Sequence, residues 1–107
     1  PQQKMAFLRA IISLTLLTAK AMTTTTSAPP IVYTIAGSDS GGGAGIQADL
    51  HAIRSMNCHA CSAITCLTAQ NSVAVTAVHA PPASFLTEQL DALYDDMPPN
   101  AVKVGML

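Results

Sequence analysis

Short apolar runs and a helical spacing of apolar side chains follow one another along residues 31–107. Residues 31–36 form a continuous apolar and β-branched run, as expected for a strand buried on both faces of a parallel sheet. Across residues 43–56, apolar side chains recur at i, i+4 and i+7, the spacing that lines one face of a helix: Ile46, Leu50 and Ile53. The pattern therefore predicts a buried strand followed by a helix that packs on the sheet.

The rest of this region predicts more extended segments and a second helix. Asn57 fits the end of the first helix, because asparagine tolerates the left-handed conformation almost as well as glycine. Extended segments are predicted at residues 61–68, 73–78 and 101–104. Ser84 fits the N-cap of a helix that ends before Pro98 and carries its apolar residues on one face: Leu86, Leu90, Leu93 and Met97. This order of elements predicts an α/β fold with a mostly parallel sheet.

A cluster of glycines lies between the first strand and the first helix, in the segment Gly37-Ser-Asp-Ser-Gly-Gly-Gly-Ala-Gly45. Glycines permit positive φ and leave no Cβ between the backbone and a ligand. The segment lacks the Lys-Ser/Thr of a Walker loop and the G-x-G-x-x-G spacing, so a nucleotide phosphate is not the expected guest. With a right-handed crossover, the strand at residues 61–68 brings Gln70 and Asn71 to the same edge. A small-molecule site is therefore predicted there, and a glycine-rich turn without a ligand is the alternative.

Three blocks of sequence resemble, in order and spacing, the hydroxymethylpyrimidine and phosphomethylpyrimidine kinases of thiamine biosynthesis: residues 37–50, 62–71 and 101–107. The resemblance implies a ribokinase-like three-layer α/β/α fold, of which residues 31–107 would be the N-terminal part. It also implies ATP-dependent phosphorylation of hydroxymethylpyrimidine and its monophosphate. A pyridoxine or pyridoxal kinase of the same superfamily and a non-catalytic ligand-binding fragment are the alternatives.

The resemblance implies a substrate site made of small loop residues and a few polar or apolar side chains: Gly37, Asp39, Gly41, Gly42, Gly43, Ala44, Asp49, Gln70 and Met106. In the family, the small residues let the backbone approach the pyrimidine, and the glutamine that matches Gln70 donates to and accepts from the aminopyrimidine. The methionine that matches Met106 packs on the ring face. Without the family, Met106 would as readily fill the core, and Gln70 would be a solvated loop residue.

The two aspartates of this set have alternative explanations. The resemblance implies that Asp49 holds the polar edge of the pyrimidine, whereas a first-turn aspartate is also favoured by the helix dipole alone. Asp39 is the weaker candidate for a ligand, because an aspartate at this position can instead fix the loop through an Asx-type turn.

The resemblance assigns no catalytic residue to this sequence. The family carries its catalytic cysteine or aspartate in a glycine-rich segment near its C-terminus, and no such segment occurs in these residues. ATP and Mg²⁺ are accordingly expected to bind mainly to a part of the enzyme beyond this sequence.

Composition excludes some partners. The net charge is −1 and a tenth of the residues are charged, so there is no basic patch to hold nucleic acid. Cys58 and Cys61 have the C-x-x-C spacing of zinc and redox sites, but no second pair completes a set of ligands. We therefore predict no metal site. The expected partner is a small molecule, and a homodimer is compatible with the sequence.

Residues 1–30 differ from the rest because they contain basic but no acidic side chains. The apolar stretch at residues 7–19 is shorter than the roughly 20 residues that a membrane-spanning helix needs. It fits a targeting segment, and transit into a plastid or mitochondrion suits a vitamin-biosynthetic enzyme better than secretion. If translation starts at Met22, the protein would be cytoplasmic and residues 23–30 would be a short disordered leader.

Overall fold

The computed structural model describes residues 27–107. The expectation of a targeting segment within residues 1–30 therefore lies almost entirely outside the described residues. In chain order the elements are β1 (Ile31–Asp39), α1 (Gly45–Ser55), β2 (His59–Gln70), β3 (Val75–His79), α2 (Ala83–Asp96) and β4 (Ala101–Val104).

These strands form one sheet in the order β3-β2-β1-β4. β1 lies in the centre and runs parallel to both β2 and β4. β3 pairs antiparallel with the last residues of β2, from Leu67 to Gln70. The mostly parallel sheet is therefore confirmed, and the extended segment expected at residues 73–78 is the one antiparallel strand among residues 27–107.

Adjacent residues of β1 show that the two helices cover opposite faces of the sheet. The Thr34 hydroxyl donates to Asp49 on α1, whereas the Tyr33 hydroxyl donates to the carbonyl of Met97 at the end of α2, both at 2.6 Å. Successive side chains of a strand point to opposite faces, so α1 and α2 lie on different sides. The three-layer α/β/α arrangement is confirmed.

The core lies between α1, β1 and β2. Ile46 and Ile53 of α1 are buried, as the helical spacing predicted, and Leu50 is half-buried between them. All residues of β4 are exposed, and no residue of α2 is fully buried. Among residues 27–107, neither helix has the length and apolar character that a membrane crossing requires.

Helix ends agree with the sequence at one helix and differ at the other. Asn57 has φ of 58°, which confirms it as the left-handed residue after α1. The prediction of Ser84 as N-cap of α2 is wrong, because Pro82 occupies that position and its carbonyl accepts from Phe85 N at 2.9 Å. The helix thus begins without a side-chain cap, and Ser84 lies inside its first turn.

α1 is also shorter than the predicted range of 43–56. The N–H groups of Gly43 and Ala44 donate to the Asp39 carboxylate, which holds both residues in the loop rather than in the helix. β2 is longer than residues 61–68, because β1 pairs with it from His59 onward and β3 pairs with it as far as Gln70.

Candidate substrate cleft

An open cleft of about 270 Å³ lies at the carboxyl ends of β1 and β2. It is lined by residues of the glycine loop and of the segment that ends β2: Asp39, Gly41, Gly43, Ala44, Gln70, Asn71 and Ser72. The predicted meeting of the glycine loop with Gln70 and Asn71 at one edge of the sheet is therefore confirmed. This edge is where open α/β sheets bind their ligands.

Asp39 organises the loop from within. Its Oδ1 accepts from Gly41 N at 2.7 Å, which is an Asx-type turn, and its Oδ2 accepts from Gly43 N at 3.0 Å and Ala44 N at 2.9 Å. The main-chain oxygen of Asp39 accepts from Gly42 N at 3.0 Å. Asp39 is only 6% exposed. The alternative explanation of this residue as the restraint of its own loop is thus what the structure shows.

Gln47 of α1 holds the backbone on which Asp39 sits. Its Oε1 accepts from Asp39 N at 2.8 Å, and its Nε2 donates to Ser38 Oγ at 2.7 Å. The sequence analysis did not single out Gln47. An amide in the first turn after a glycine loop is the signal that could have found it, because an amide donates and accepts at once.

Two positions of the loop require glycine for different reasons. Gly45 has φ of +57°, and a Cβ there would overlap the carbonyl oxygen of Gly37. Gly42 has φ of +79°, with nothing within 4 Å of the place that a Cβ would take. Gly45 thus allows α1 to start directly against the end of β1, and Gly42 allows the chain to turn in open space.

Hydrogen bonds with Ser40 fix the backbone of Gln70, and the Thr68 hydroxyl lies close to its side-chain oxygen. Ser40 Oγ donates to Gln70 O at 2.6 Å and lies 2.7 Å from Gln70 N, which donates in return. Thr68 Oγ1 lies 3.2 Å from Gln70 Oε1 and 2.7 Å from the Ser38 carbonyl oxygen. The hydrogen bonds of Gln70 within the described residues involve its backbone and its Oε1, which leaves its Nε2 available to donate to a ligand in the cleft.

Asp49 lies away from the cleft, in a polar cluster with Thr34 and Lys103. Its Oδ2 accepts from Thr34 Oγ1 and from Lys103 Nζ, both at 2.6 Å, and its side chain is 18% exposed. Burial raises the pKa of Asp49, but the hydrogen bonds from Lys103 and Thr34 more than offset it, so this pKa lies below its ordinary value. The role of Asp49 as a substrate ligand stays a prediction.

Met106 and Gly37 lie together beside the cleft but do not line it. The Met106 Cε is 3.2 Å and the Cys66 Sγ is 2.8 Å from the position that a Cβ on Gly37 would occupy. Thr65 Oγ1 donates to the main-chain oxygen of Met106 at 2.8 Å, and the Met106 side chain is largely exposed. An apolar side chain is thus available next to the loop, and its contact with a ring stays a prediction.

Cys61 and Cys66 lie in β2 and Cys58 lies just before it, so none of the three lines the cleft. Cys61 and Cys66 are buried and Cys58 is half-buried, all as free thiols. Burial, together with the negative charge of Asp96, raises the pKa of Cys61, which favours the neutral thiol. In residues 27–107, no group of three or more His, Cys, Asp or Glu side chains is arranged to hold a metal ion.

Comparison with known proteins places this geometry among vitamin kinases. A family described as "Phosphomethylpyrimidine kinase" matches residues 39–107. A hydroxymethylpyrimidine/phosphomethylpyrimidine kinase from Synechococcus elongatus is 56% identical over 80 residues, which are 75% of this chain and 30% of that protein.

Solved structures of two vitamin kinases resemble the described fold. The phosphomethylpyrimidine kinase from Clostridium difficile 630 matches with a TM-score of 0.69 and 47% identity, over 72% of this chain and 36% of that one. The pyridoxal kinase from Staphylococcus aureus, in complex with AMP-PCP and pyridoxal, matches with a TM-score of 0.68 and 33% identity, over 76% of this chain and 30% of that one.

The chain thus spans about a third of the length of each of these three relatives. The family match covers more than half of this chain and includes most of the glycine loop, Gln70 and Met106. The fold is a partial α/β fold whose neighbours have the ribokinase-like fold. On these findings, the chain belongs to the phosphomethylpyrimidine kinase family.

Proposed function

We propose that the protein uses ATP to phosphorylate hydroxymethylpyrimidine and its monophosphate, and that residues 31–107 supply one wall of the site for the pyrimidine. The observation that carries this proposal is the cleft itself, in which the Gln70 amide faces a loop of glycines and alanine. An aminopyrimidine presents hydrogen-bond donors and acceptors side by side. An amide side chain can bind both, because its NH₂ group donates and its carbonyl oxygen accepts.

The small residues complete this recognition. Gly41, Gly43 and Ala44 line the cleft with backbone and one methyl group, so a flat ring can lie close to the chain. The Met106 side chain lies at the neighbouring strand end and offers a polarizable apolar contact to a ring. Together these groups fit a neutral heteroaromatic alcohol.

ATP and Mg²⁺ do not fit the residues described here. Every backbone N–H from Gly41 to Ala44 is taken by Asp39, so the loop offers no amide donors to a phosphate. No cluster of metal-ligating side chains was found within residues 27–107. We propose that both cofactors are held mainly by other parts of the enzyme.

A pyridoxal kinase is the second candidate. The specific observation in its favour is the Staphylococcus aureus pyridoxal kinase, whose TM-score to this chain is close to that of the phosphomethylpyrimidine kinase. Sequence identity favours the pyrimidine enzyme, at 47% against 33%.

The decisive experiment is an ATP-dependent kinase assay on the protein expressed from its complete gene. Hydroxymethylpyrimidine, its monophosphate and pyridoxal are compared as substrates. We expect kcat/KM for hydroxymethylpyrimidine to exceed that for pyridoxal by about tenfold or more, the discrimination that a few well-placed polar contacts provide. Preference for pyridoxal would establish the second candidate, and no turnover of any of them would favour a non-catalytic fragment.

We further propose that the whole enzyme is a homodimer, and light scattering of the purified protein tests this. Import into a plastid or mitochondrion is proposed for a chain that begins upstream of Met22, and a fluorescent fusion with and without residues 1–21 tests it.

A further inference from the structure

The glycine loop already contains an anion of its own. The Asp39 carboxylate accepts from three backbone N–H groups, those of Gly41, Gly43 and Ala44, at 2.7 to 3.0 Å. The remaining N–H of this run, that of Gly42, donates to the Asp39 main-chain oxygen. Loops of this kind usually present their amides to a bound anion. Here the side chain of the preceding strand end occupies that position.

The cleft is consequently unfavourable for a second anion. Asp39 is the charged residue among those that line the cleft, and the others present amides, a hydroxyl and small groups. A phosphate placed against the loop would find its donors already engaged and would lie beside a carboxylate of the same charge. An uncharged ring edge meets neither obstacle.

The loop also needs a restraint, because it contains two glycines at positive φ, Gly42 and Gly45. Glycine-rich backbone loses more conformational entropy on ordering than other backbone. The carboxylate fixes the loop at several amides, and the Gln47 side chain fixes Asp39 N at 2.8 Å. The loop therefore has its ligand-facing shape before any ligand arrives.

We propose that Asp39 is a positioning residue that acts as a built-in anion: it holds the glycine loop in its substrate-ready shape and closes the loop to phosphate groups. This proposal deepens the proposed function and rests on it, because it assigns the uncharged edge of the pyrimidine to the loop. Asp39 itself need not contact the substrate.

Replacement of Asp39 by Ala empties the nest of loop amides. Binding of hydroxymethylpyrimidine is measured by calorimetric titration into the protein expressed from its complete gene. We expect Kd to rise about 10- to 100-fold, because several charge-assisted hydrogen bonds that order the loop are lost. The exposed Asp91 on α2 gives the matched control, and Asp91→Ala should bind as wild type does.

Sodium formate then separates a built-in anion from a general structural role. Formate is a free carboxylate small enough to enter the emptied nest, so it should restore Kd of Asp39→Ala to within a few-fold of wild type. Sodium chloride at equal ionic strength should not restore it, and wild type should respond to neither salt. Unchanged Kd in Asp39→Ala, or weakened binding that formate leaves weak, overturns the proposal.

Asp39→Asn decides the matter if Asp39→Ala is not recovered folded. Asparagine keeps the shape but points an NH₂ group at a loop N–H, so the ordered loop becomes less populated. A less populated competent state raises KM and leaves kcat nearly unchanged, because the bound state is the same once formed. We expect KM for hydroxymethylpyrimidine to rise about tenfold with kcat within about threefold of wild type. Wild-type KM, or a loss confined to kcat, overturns the proposal.

Failure of the proposed function has a different signature. If wild type neither binds nor phosphorylates hydroxymethylpyrimidine, the substrate assignment is wrong, and the role given to Asp39 falls with it because it rests on that assignment. If wild type binds it and Asp39→Ala binds it equally well, the substrate assignment stands and the role given to Asp39 falls.

Discussion

Gly45 is the residue at which the loop depends most strongly on the absence of a side chain. Gly45 combines φ of +57° with a position at which a Cβ would overlap the carbonyl oxygen of Gly37, whereas Gly42 has φ of +79° in open space. Both glycines therefore carry the conformational cost of a substitution, and only Gly45 adds a steric one.

Replacing each of these glycines by alanine separates the two costs. Gly42→Ala should lower the free energy of unfolding by about 1 kcal/mol, the cost of a positive φ in a non-glycine residue. Gly45→Ala should lower it by about 3 kcal/mol or more, since backbone strain and overlap are added. Urea denaturation of both variants measures the difference. Equal losses would show that the approach of Gly45 to Gly37 is not tight.

From the sequence alone, the glycine loop and nearby polar residues could be predicted to form a site. Which hydrogen bonds the polar residues make there could not be predicted. Glycine chemistry is local, so the cluster at 37–45 could be recognised from its composition. The bonding of Asp39 depends on the path of five following residues, and the sequence left two explanations open. Gln47 was missed because its partners, Ser38 and Asp39 N, become visible only when the helix is placed against the strand end.

At the scale of the elements, Asp49 joins α1 to two strands. It accepts from Thr34 on β1 and from Lys103 on β4. Thr34 is fully buried, whereas the Lys103 side chain is 48% exposed, so water screens the ion pair in part. The cluster holds β4, the last strand in the sheet that residues 27–107 form, against the rest of the described fold.

The pKa of Asp49 makes this contribution dependent on pH. Its pKa in the folded state lies below the ordinary value, so the stabilisation is present above about pH 4 and is lost as the pH falls through the folded pKa. Asp49→Asn should cost about 1 kcal/mol near neutral pH, and its deficit against wild type should shrink on acidification. Urea denaturation as a function of pH measures this deficit. A deficit that does not change with pH would contradict the account.

Gln89 of α2 covers an open edge of the sheet. β3 pairs with β2 only from Leu67 to Gln70. Nearer the start of β2, the Gln89 side chain accepts from Ile64 N at 2.9 Å and donates to Ile64 O at 3.0 Å. A glutamine amide thereby replaces a neighbouring strand for one residue. Exposed strand edges otherwise offer a template for unwanted pairing.

Removal of this amide should both destabilise the fold and expose the edge. Gln89→Ala should lower the free energy of unfolding by about 1 to 2 kcal/mol, since two hydrogen bonds are lost. Hydrogen exchange at the Ile64 amide should become faster. Glu88→Ala, at an exposed neighbour on the same helix, is the control and should change neither. Unaltered exchange at Ile64 in Gln89→Ala would mean that water replaces the amide without loss.

Elements were predicted well because their signals are periodic, and their ends less well because ends depend on neighbours. Ile46 and Ile53 are buried as their spacing indicated. The start of α2 was predicted two residues too late, because serine often caps helices and Ser84 was chosen. In the structure, Pro82 is the residue at which the chain enters the helix. The antiparallel direction of β3 had a local signal that was missed: only four residues connect β2 to β3, and a parallel neighbour needs a crossover of a dozen or more.

At the scale of the whole molecule, one end of the sheet brings together the features that matter for function. β1 contributes Asp39, the loop before α1 contributes small backbone, and β2 contributes Gln70. Sequence could predict this meeting because the carboxyl ends of parallel strands lie at the same edge of a sheet, which is where open α/β sheets bind ligands. Which side chains stay available to a ligand could not be predicted, since that depends on bonds that the loop makes with itself.

The most direct test of the account concerns Gln70. Calorimetric titration of hydroxymethylpyrimidine into the protein expressed from its complete gene is compared for wild type, Gln70→Leu and the exposed control Glu88→Gln. We expect binding by wild type and by the control, and a loss of affinity of about 100-fold or more in Gln70→Leu, because the polar edge of the pyrimidine is then buried without its partner. Equal affinity of wild type and Gln70→Leu, or no binding by wild type, would contradict the assignment of this cleft to the pyrimidine.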